Sequence, residues 1–167
     1  MNVILIGMPG AGKSTVGVLL AKSLGKAFAD TDLLLQTRAG KRLMEILTES
    51  GADEFEKLEN DTLLSIGDDE TVIATGGSAV FCERGMAHLK ENGICVYLDV
   101  PLSFLEERLT NIRTRGVVMK EGETLAQLLE ERKPYYEKYA DVTVKGKSNP
   151  EETVTAIVNA LDKRADN

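Results

Sequence analysis

Val3, Ile4, Leu5 and Ile6 form an unbroken apolar run with no alternation of polar positions. A run of that kind reads as a strand covered on both faces, as in a parallel sheet layered between helices. Beyond Ser14 the period changes: Val16, Leu19, Leu20 and Leu24 recur at helical spacing, and Gly25 closes the helix. A short strand over Ala27–Ala29 follows. Residues 31–66 carry a helical pattern interrupted at Gly40 and Gly51. Thr71–Thr75 and Ile94–Leu98 are the next strands, separated by a helix over about 81–91. A further helix is expected over 101–109, with Pro101 in its first turn. Residues 110–122 combine Thr, Asn, Gly and charges with little periodic apolar signal, and read as a mobile surface segment. A helix over 123–138, a strand at Val142–Val144 and a last helix opened by Asn149 and Pro150 complete the chain. Strands alternating with helices predict an α/β fold, a three-layer α/β/α sandwich around a mainly parallel five-stranded sheet.

Composition narrows the field without deciding it. With 167 residues, 43% hydrophobic and 28% charged, the chain suits one domain with a sizeable core. Its net charge of −7 argues against a general nucleic-acid or membrane-surface binder, since such partners require a basic face. Cys82 and Cys95 form neither a CxxC pair nor a ligand set with the lone His88, and read as small buried hydrophobes. His88 reads as a helix surface residue. No apolar stretch reaches membrane length, and Met1 leads directly into a strand. A reduced, cytoplasmic protein acting as a monomer on a small molecule is expected.

Chemistry enters at Gly7-Met8-Pro9-Gly10-Ala11-Gly12-Lys13-Ser14, which matches the phosphate-binding pattern G-x-x-x-x-G-K-[ST]. The match lies directly after a buried strand and directly before a helix, where such a loop must lie. Its glycines let successive backbone N–H groups turn inward toward phosphate oxygens, and the helix N-terminus adds positive potential there. Gly10, Ala11, Gly12, Lys13, Ser14 and Thr15 would hold ATP. Lys13 would bridge the β- and γ-phosphates, and the Ser14 hydroxyl would bind Mg²⁺. Guanine readers sharing this loop need an N-K-x-D element, which is absent. Asp99, ending Val96-Tyr97-Leu98, could be a metal-site residue of a Walker B strand, but a cap for the helix after Pro101 is favoured. Asp30-Thr31-Asp32 follows the second strand, where carboxyl-end residues face the ligand crevice of an open parallel sheet. A Mg²⁺ ligand with a proton acceptor fits that position, and so does a plain helix cap at Asp30 or Thr31.

The chain resembles the shikimate kinase family from Met1 to about Leu161. The shared pieces are Gly7 to Thr15, Phe28-x-Asp30-Thr31-Asp32 and Gly51-x-x-x-Phe55-x-x-x-Glu59. Further on come Gly76-Gly77, Val96-Tyr97-Leu98, Arg108, Arg115 and Glu131-Arg132-x-Pro134-x-Tyr136. The resemblance implies ATP-dependent phosphorylation of shikimate to shikimate 3-phosphate, within aromatic amino acid biosynthesis. It implies Asp30 near Mg²⁺, Asp32 on the acceptor hydroxyl as base, Gly76 and Gly77 against the acceptor, and Arg132 on its carboxylate. It also implies Arg108 against the adenine, and a catalytic Arg115 on a lid over 110–122 that closes on the transferring phosphate. The helical region 31–66 would bind the acceptor. Read without the resemblance, Arg108 and Arg132 are ordinary solvated helix residues.

Three positions depart from the family pattern. Glu56 stands where the family has the arginine of G-x-x-x-F-R-x-x-E, Ser78 stands at the third glycine after the strand, and Gly116 follows Arg115 in place of proline. The family arginine grips the acceptor carboxylate. A glutamate about 4 Å from that carboxylate would repel it by about 4 kcal/mol at an effective dielectric of about 20. Glu56 could swing to solvent, pair with Arg132, or meet an amine on a different hydroxyl-bearing acceptor. Shikimate and such an amine-bearing compound are therefore both open, and a third class is an ATP-binding regulatory module without transfer activity.

Overall fold

The computed structural model describes residues 1–67, 70–109 and 116–165. The chain runs β1 (Asn2–Ile6), α1 (Lys13–Leu24), β2 (Ala27–Asp30), α2 (Thr31–Ala39), α3 (Leu43–Leu64) and β3 (Thr71–Ala74). After a 3₁₀ turn at Ala79–Phe81 it continues through α4 (Glu83–Glu91), β4 (Gly93–Asp99), α5 (Leu102–Arg108), α6 (Leu125–Tyr139), β5 (Val142–Lys145) and α7 (Pro150–Ala165). The five strands form one sheet in the order β2-β3-β1-β4-β5, and every neighbouring pair is parallel.

Why the first strand sits in the middle follows from its composition. All five residues of β1 are buried, and only a central strand sandwiched between helix layers can bury both faces and pair on both edges. α1 and α7 pack together on one face, while α4 and α6 lie against β4. The chain winds from β1 out to β2, returns to β3, and then crosses to β4 on the other side of β1. At that reversal the carboxyl ends of β1 and β3 splay apart and leave a crevice. The phosphate-binding loop leaves β1 there, and Gly76-Gly77-Ser78 leaves β3 beside it.

Two apolar clusters share the work. The larger surrounds the sheet, with Ile4, Leu5, Val72, Ile73 and Val96 fully covered. Leu35, Leu43, Ile46 and Phe55 form a separate smaller cluster, against which Val118 packs. The helical pattern of 31–66 breaks where the glycines predict. Gly40 ends α2 in the left-handed region at φ 65°, and Gly51 kinks α3 at φ 79° and ψ 175°.

Details differ from the sequence expectation. Pro101 precedes α5 as its N-cap rather than lying in its first turn. Asp99 caps no helix: its carboxylate pairs with Lys145 on the neighbouring strand and accepts a hydrogen bond from the Tyr97 hydroxyl at 3.5 Å. His88 is half-buried, and its Nε2 lies 2.7 Å from the Ile66 carbonyl oxygen, tying α4 to the end of α3. Cys82 and Cys95 are buried free thiols, as expected. Of the segment 110–122, residues 110–115 lie outside the described residues. Among the described residues, no helix is long and apolar enough to cross a membrane.

Gly7 shows how tightly the loop is fitted to the sheet. Its φ of 145° is open chiefly to glycine, and a Cβ there would lie 2.8 Å from the Leu98 carbonyl oxygen on β4. Gly7→Ala therefore forces either the loop or β4 to move. A loss of about 2 kcal/mol or more is expected in chemical denaturation, with ATP affinity falling in step.

Candidate functional site

The crevice opens into a cavity of about 550 Å³ bounded by the phosphate-binding loop, the segment after β3, Asp32, Arg108 and Arg132. Gly10 and Gly12 adopt φ 81° and 90°, so the loop curls and α1 begins directly beneath it. Lys13 is buried, and its Nζ donates to the carbonyls of Gly7 at 2.7 Å and Met8 at 2.9 Å. Burial pulls its ammonium down to about 8, with Asp32 opposing the drop and Arg132 adding to it. The lysine is thus folded back along the loop it belongs to, with its charge at the cavity wall.

Asp30 is a helix cap, one of the readings that its sequence position left open. One carboxylate oxygen caps α2, accepting from the backbone N–H groups of Asp32 at 3.0 Å and Leu33 at 3.3 Å. Its other oxygen accepts from the Ser14 hydroxyl at 2.5 Å. The pair presents a hydroxyl and a carboxylate at the foot of the phosphate loop, hard oxygen donors of the kind Mg²⁺ takes. Thr31 is no cap; its Oγ1 accepts from the Gly76 N–H at 3.0 Å and ties the start of α2 to the end of β3. Asp32, one residue on, faces the cavity. Burial first and the Asp30 charge second push its carboxyl up to about 6, against the pull of Lys13.

The segment after β3 forms the opposite wall. A Cβ on Gly76 would lie 2.6 Å from Glu59 Oε1 and 2.7 Å from Asp32 Oδ1, and one on Gly77 would lie 2.6 Å from Pro9. Both glycines are therefore required by close approach. The Gly77 carbonyl accepts from the Tyr136 hydroxyl at 2.7 Å. Arg132 on α6 is 2% exposed, stacks over Phe81 at 5.7 Å and donates from Nη2 to the Val118 carbonyl at 2.6 Å. Its Nε has no partner. An ordinary solvated helix arginine would not be buried in this way; this one borders the cavity.

Arg108 stands at the other end of the cavity. It donates to the Gly10 and Ala11 carbonyls at 3.3 and 3.4 Å, with Lys147, Pro150 and Thr153 lining the same end. Arg115 lies outside the described residues.

Past the Gly51 kink, α3 turns Phe55 and Glu59 inward, one helical turn apart, and both are buried. Glu56 sits about 100° around the helix from Phe55, is exposed and does not line the cavity. The residue that sequence reasoning missed is Glu59, which is 2% exposed. Its Oε2 accepts from Ser78 Oγ at 2.7 Å, and its Oε1 has no partner. Burial raises its carboxyl to about 7; the Ser78 hydrogen bond works against the rise, and Asp32 adds to it. The i, i+4 spacing of Phe55 and Glu59 was the available signal.

Comparison with known proteins agrees with this geometry. The family model for shikimate kinase matches residues 9–162. Shikimate kinase 2 of Enterobacter sp. (strain 638) is 36% identical over 164 residues, which is 95% of this chain and 94% of that protein. The crystal structure of shikimate kinase from Aquifex aeolicus superposes with a TM-score of 0.86 at 36% identity, covering 99% of this chain and 98% of that one. Shikimate kinase from Acinetobacter baumannii in complex with shikimate gives a TM-score of 0.89 at 30% identity, covering 98% and 93%.

The buried Glu59 carboxyl has a consequence for stability. A carboxyl raised from its ordinary 4.5 to about 7 on folding favours the native state below about 4.5, and that advantage is lost as pH rises through 7. Its size is at most about 3 kcal/mol. Glu59→Gln, which keeps the shape and a partner for Ser78, should melt several degrees above the unmodified protein at pH 8 and level with it at pH 4.5. Thermal scans across that range check the sign.

Proposed function

Because the chain belongs to the shikimate kinase family and is an ATP-dependent small-molecule kinase, we propose that its acceptor is shikimate, phosphorylated at one ring hydroxyl. The single observation that carries this reading is the convergence, on one cavity, of the phosphate loop with Lys13, the carboxylate of Asp32 and the buried guanidinium of Arg132. These three supply a triphosphate cradle, a proton acceptor and a carboxylate anchor.

In the proposed reaction the acceptor hydroxyl oxygen forms a bond to the γ-phosphorus as the bond to the β-bridging oxygen breaks, releasing ADP. Asp32 takes the hydroxyl proton; its raised carboxyl value makes it a competent base near neutral pH. Lys13 and the loop N–H groups stabilise charge on the transferring oxygens. Ser14 and Asp30 would hold Mg²⁺, which when bound neutralises charge on the β- and γ-phosphates. Arg132 would exchange its Val118 carbonyl for the acceptor carboxylate in a charge-assisted contact. Arg108, stacked near Phe104 at 6.0 Å, would lie against the adenine. Arg115 keeps its role as a lid arginine on the strength of the sequence pattern alone. The helices over 31–66 would form the acceptor-binding part of a single kinase domain. The reading treats the protein as a monomer.

Membership of the shikimate kinase family makes shikimate the acceptor to test first, ahead of an amine-bearing hydroxyl compound. ADP release should appear only on adding acceptor, and shikimate should outperform a panel of polyols, amino alcohols and sugar acids. Turnover on another acceptor with no saturable response to shikimate would sink the assignment. Lys13→Ala should abolish turnover. Asp32→Asn should lower kcat by about 10²–10⁴-fold while calorimetry still finds Mg·ATP binding; normal turnover in that variant would remove Asp32 from the chemistry.

A further inference from the structure

A serine hydroxyl carries one proton and two lone pairs. At Ser78 the proton is committed to Glu59 Oε2 at 2.7 Å, so this oxygen can offer only lone pairs to the cavity it borders. Glu59 is well suited to hold that orientation. It is 2% exposed, it reaches the site from α3, and its second oxygen is free of any partner. The point 2.6 Å from Glu59 Oε1 is also 2.7 Å from Asp32 Oδ1, so the base and the Ser78 support meet at the same place above Gly76. Arg132, whose Nη1 lies 3.1 Å from where a Gly77 Cβ would be, supplies only donors. The cavity therefore has a donor end and, next to the base, an oxygen that can only accept.

We propose that Ser78, oriented by Glu59, determines acceptor specificity by accepting a hydrogen bond from a second hydroxyl neighbouring the one that is phosphorylated. The favoured substrates are thus hydroxy acids carrying a vicinal diol, with the carboxylate at Arg132, one hydroxyl at Asp32 and its neighbour at Ser78. An acceptor lacking the second hydroxyl, or carrying an ether there, leaves a buried lone pair unpaired. A polar site of this kind discriminates more sharply than an apolar one. Glu59 acts through Ser78 and is a positioning residue. The groups facing it are Lys13 from α1, Asp32 from α2, Arg132 and Tyr136 from α6, Glu56 on its own helix, and Cys82, whose Sγ lies 4.0 Å from Oε2. Burial raises the Glu59 carboxyl to about 7; ionised it can only accept, which fixes the Ser78 proton toward it, whereas protonated it can also donate to Ser78. The inference rests on the reading of the protein as a kinase of a hydroxy acid.

The test is steady-state kinetics with ATP and shikimate between pH 6 and 8, on the unmodified chain, Ser78→Ala, Glu59→Gln and the double variant. An analogue with the neighbouring hydroxyl removed is run in parallel. Ser78→Ala should raise the acceptor KM about tenfold, as loss of one such bond would, with the ATP KM within twofold. Glu59→Gln, whose amide can donate to Ser78 as well as accept from it, should raise the acceptor KM by less, and the double variant should match Ser78→Ala. In the unmodified protein the acceptor KM should fall as pH rises through about 7, a fall absent from Ser78→Ala. The deoxy analogue should be poor with the unmodified chain and show no further loss with Ser78→Ala. An acceptor KM in Ser78→Ala within twofold of the unmodified value, or an analogue penalty that persists in full there, overturns the inference. Should Glu59→Gln fail to fold, Ser78→Ala and the analogue decide alone. If a different polyol proves to be the acceptor, the shikimate assignment fails by itself and the same comparison on that polyol decides this one. If no acceptor releases ADP, both fall.

Discussion

A buried ammonium has to be held, and the holding of Lys13 organises the rest of the molecule. Its Nζ is bound by two carbonyls of the loop that precedes it. Those carbonyls can turn inward only because the glycines of the loop take backbone conformations that other residues rarely adopt. Three carboxylates, Asp32, Asp30 and Glu59, act on it and offset part of the cost of burying its charge. Take the lysine away and those carboxylates face one another with Arg132 as the remaining buried cation. The geometry suited to phosphate and the electrostatics of the apoprotein are thus two views of one arrangement.

Much of this was legible from residue patterns because the features are local. β1 announced itself by an apolar run, the loop by its spacing, and the breaks at Gly40 and Gly51 by glycine itself. What was not legible depended on phase or distance. Glu56 and Glu59 lie three residues apart, and which of them turns inward is decided by the orientation α3 takes after its kink, which no local pattern records. Asp99 looked like a cap or a metal ligand because its partner, Lys145, lies on a strand distant in sequence. Asp30 was ambiguous between cap and ligand because it has two oxygens, and the fold gives each one a role.

The position that carries a glycine in the family pattern holds Ser78, and that serine partners the buried Glu59, which the family pattern itself includes. A buried carboxyl needs hydrogen-bond partners, and a hydroxyl from the facing loop is one. Sequence comparison registers Ser78 as an isolated departure, while the structure gives it a partner on α3.

The small apolar cluster of Leu35, Leu43, Ile46 and Phe55 stands apart from the packing around the sheet. Energetic effects of substitutions in two such regions are close to additive when they share no partners. Repacking the helical arm would leave the strand layer holding the phosphate loop in place. Arg132 and the segment after β3 sit on the larger cluster, so they too would keep their positions while the arm was rebuilt.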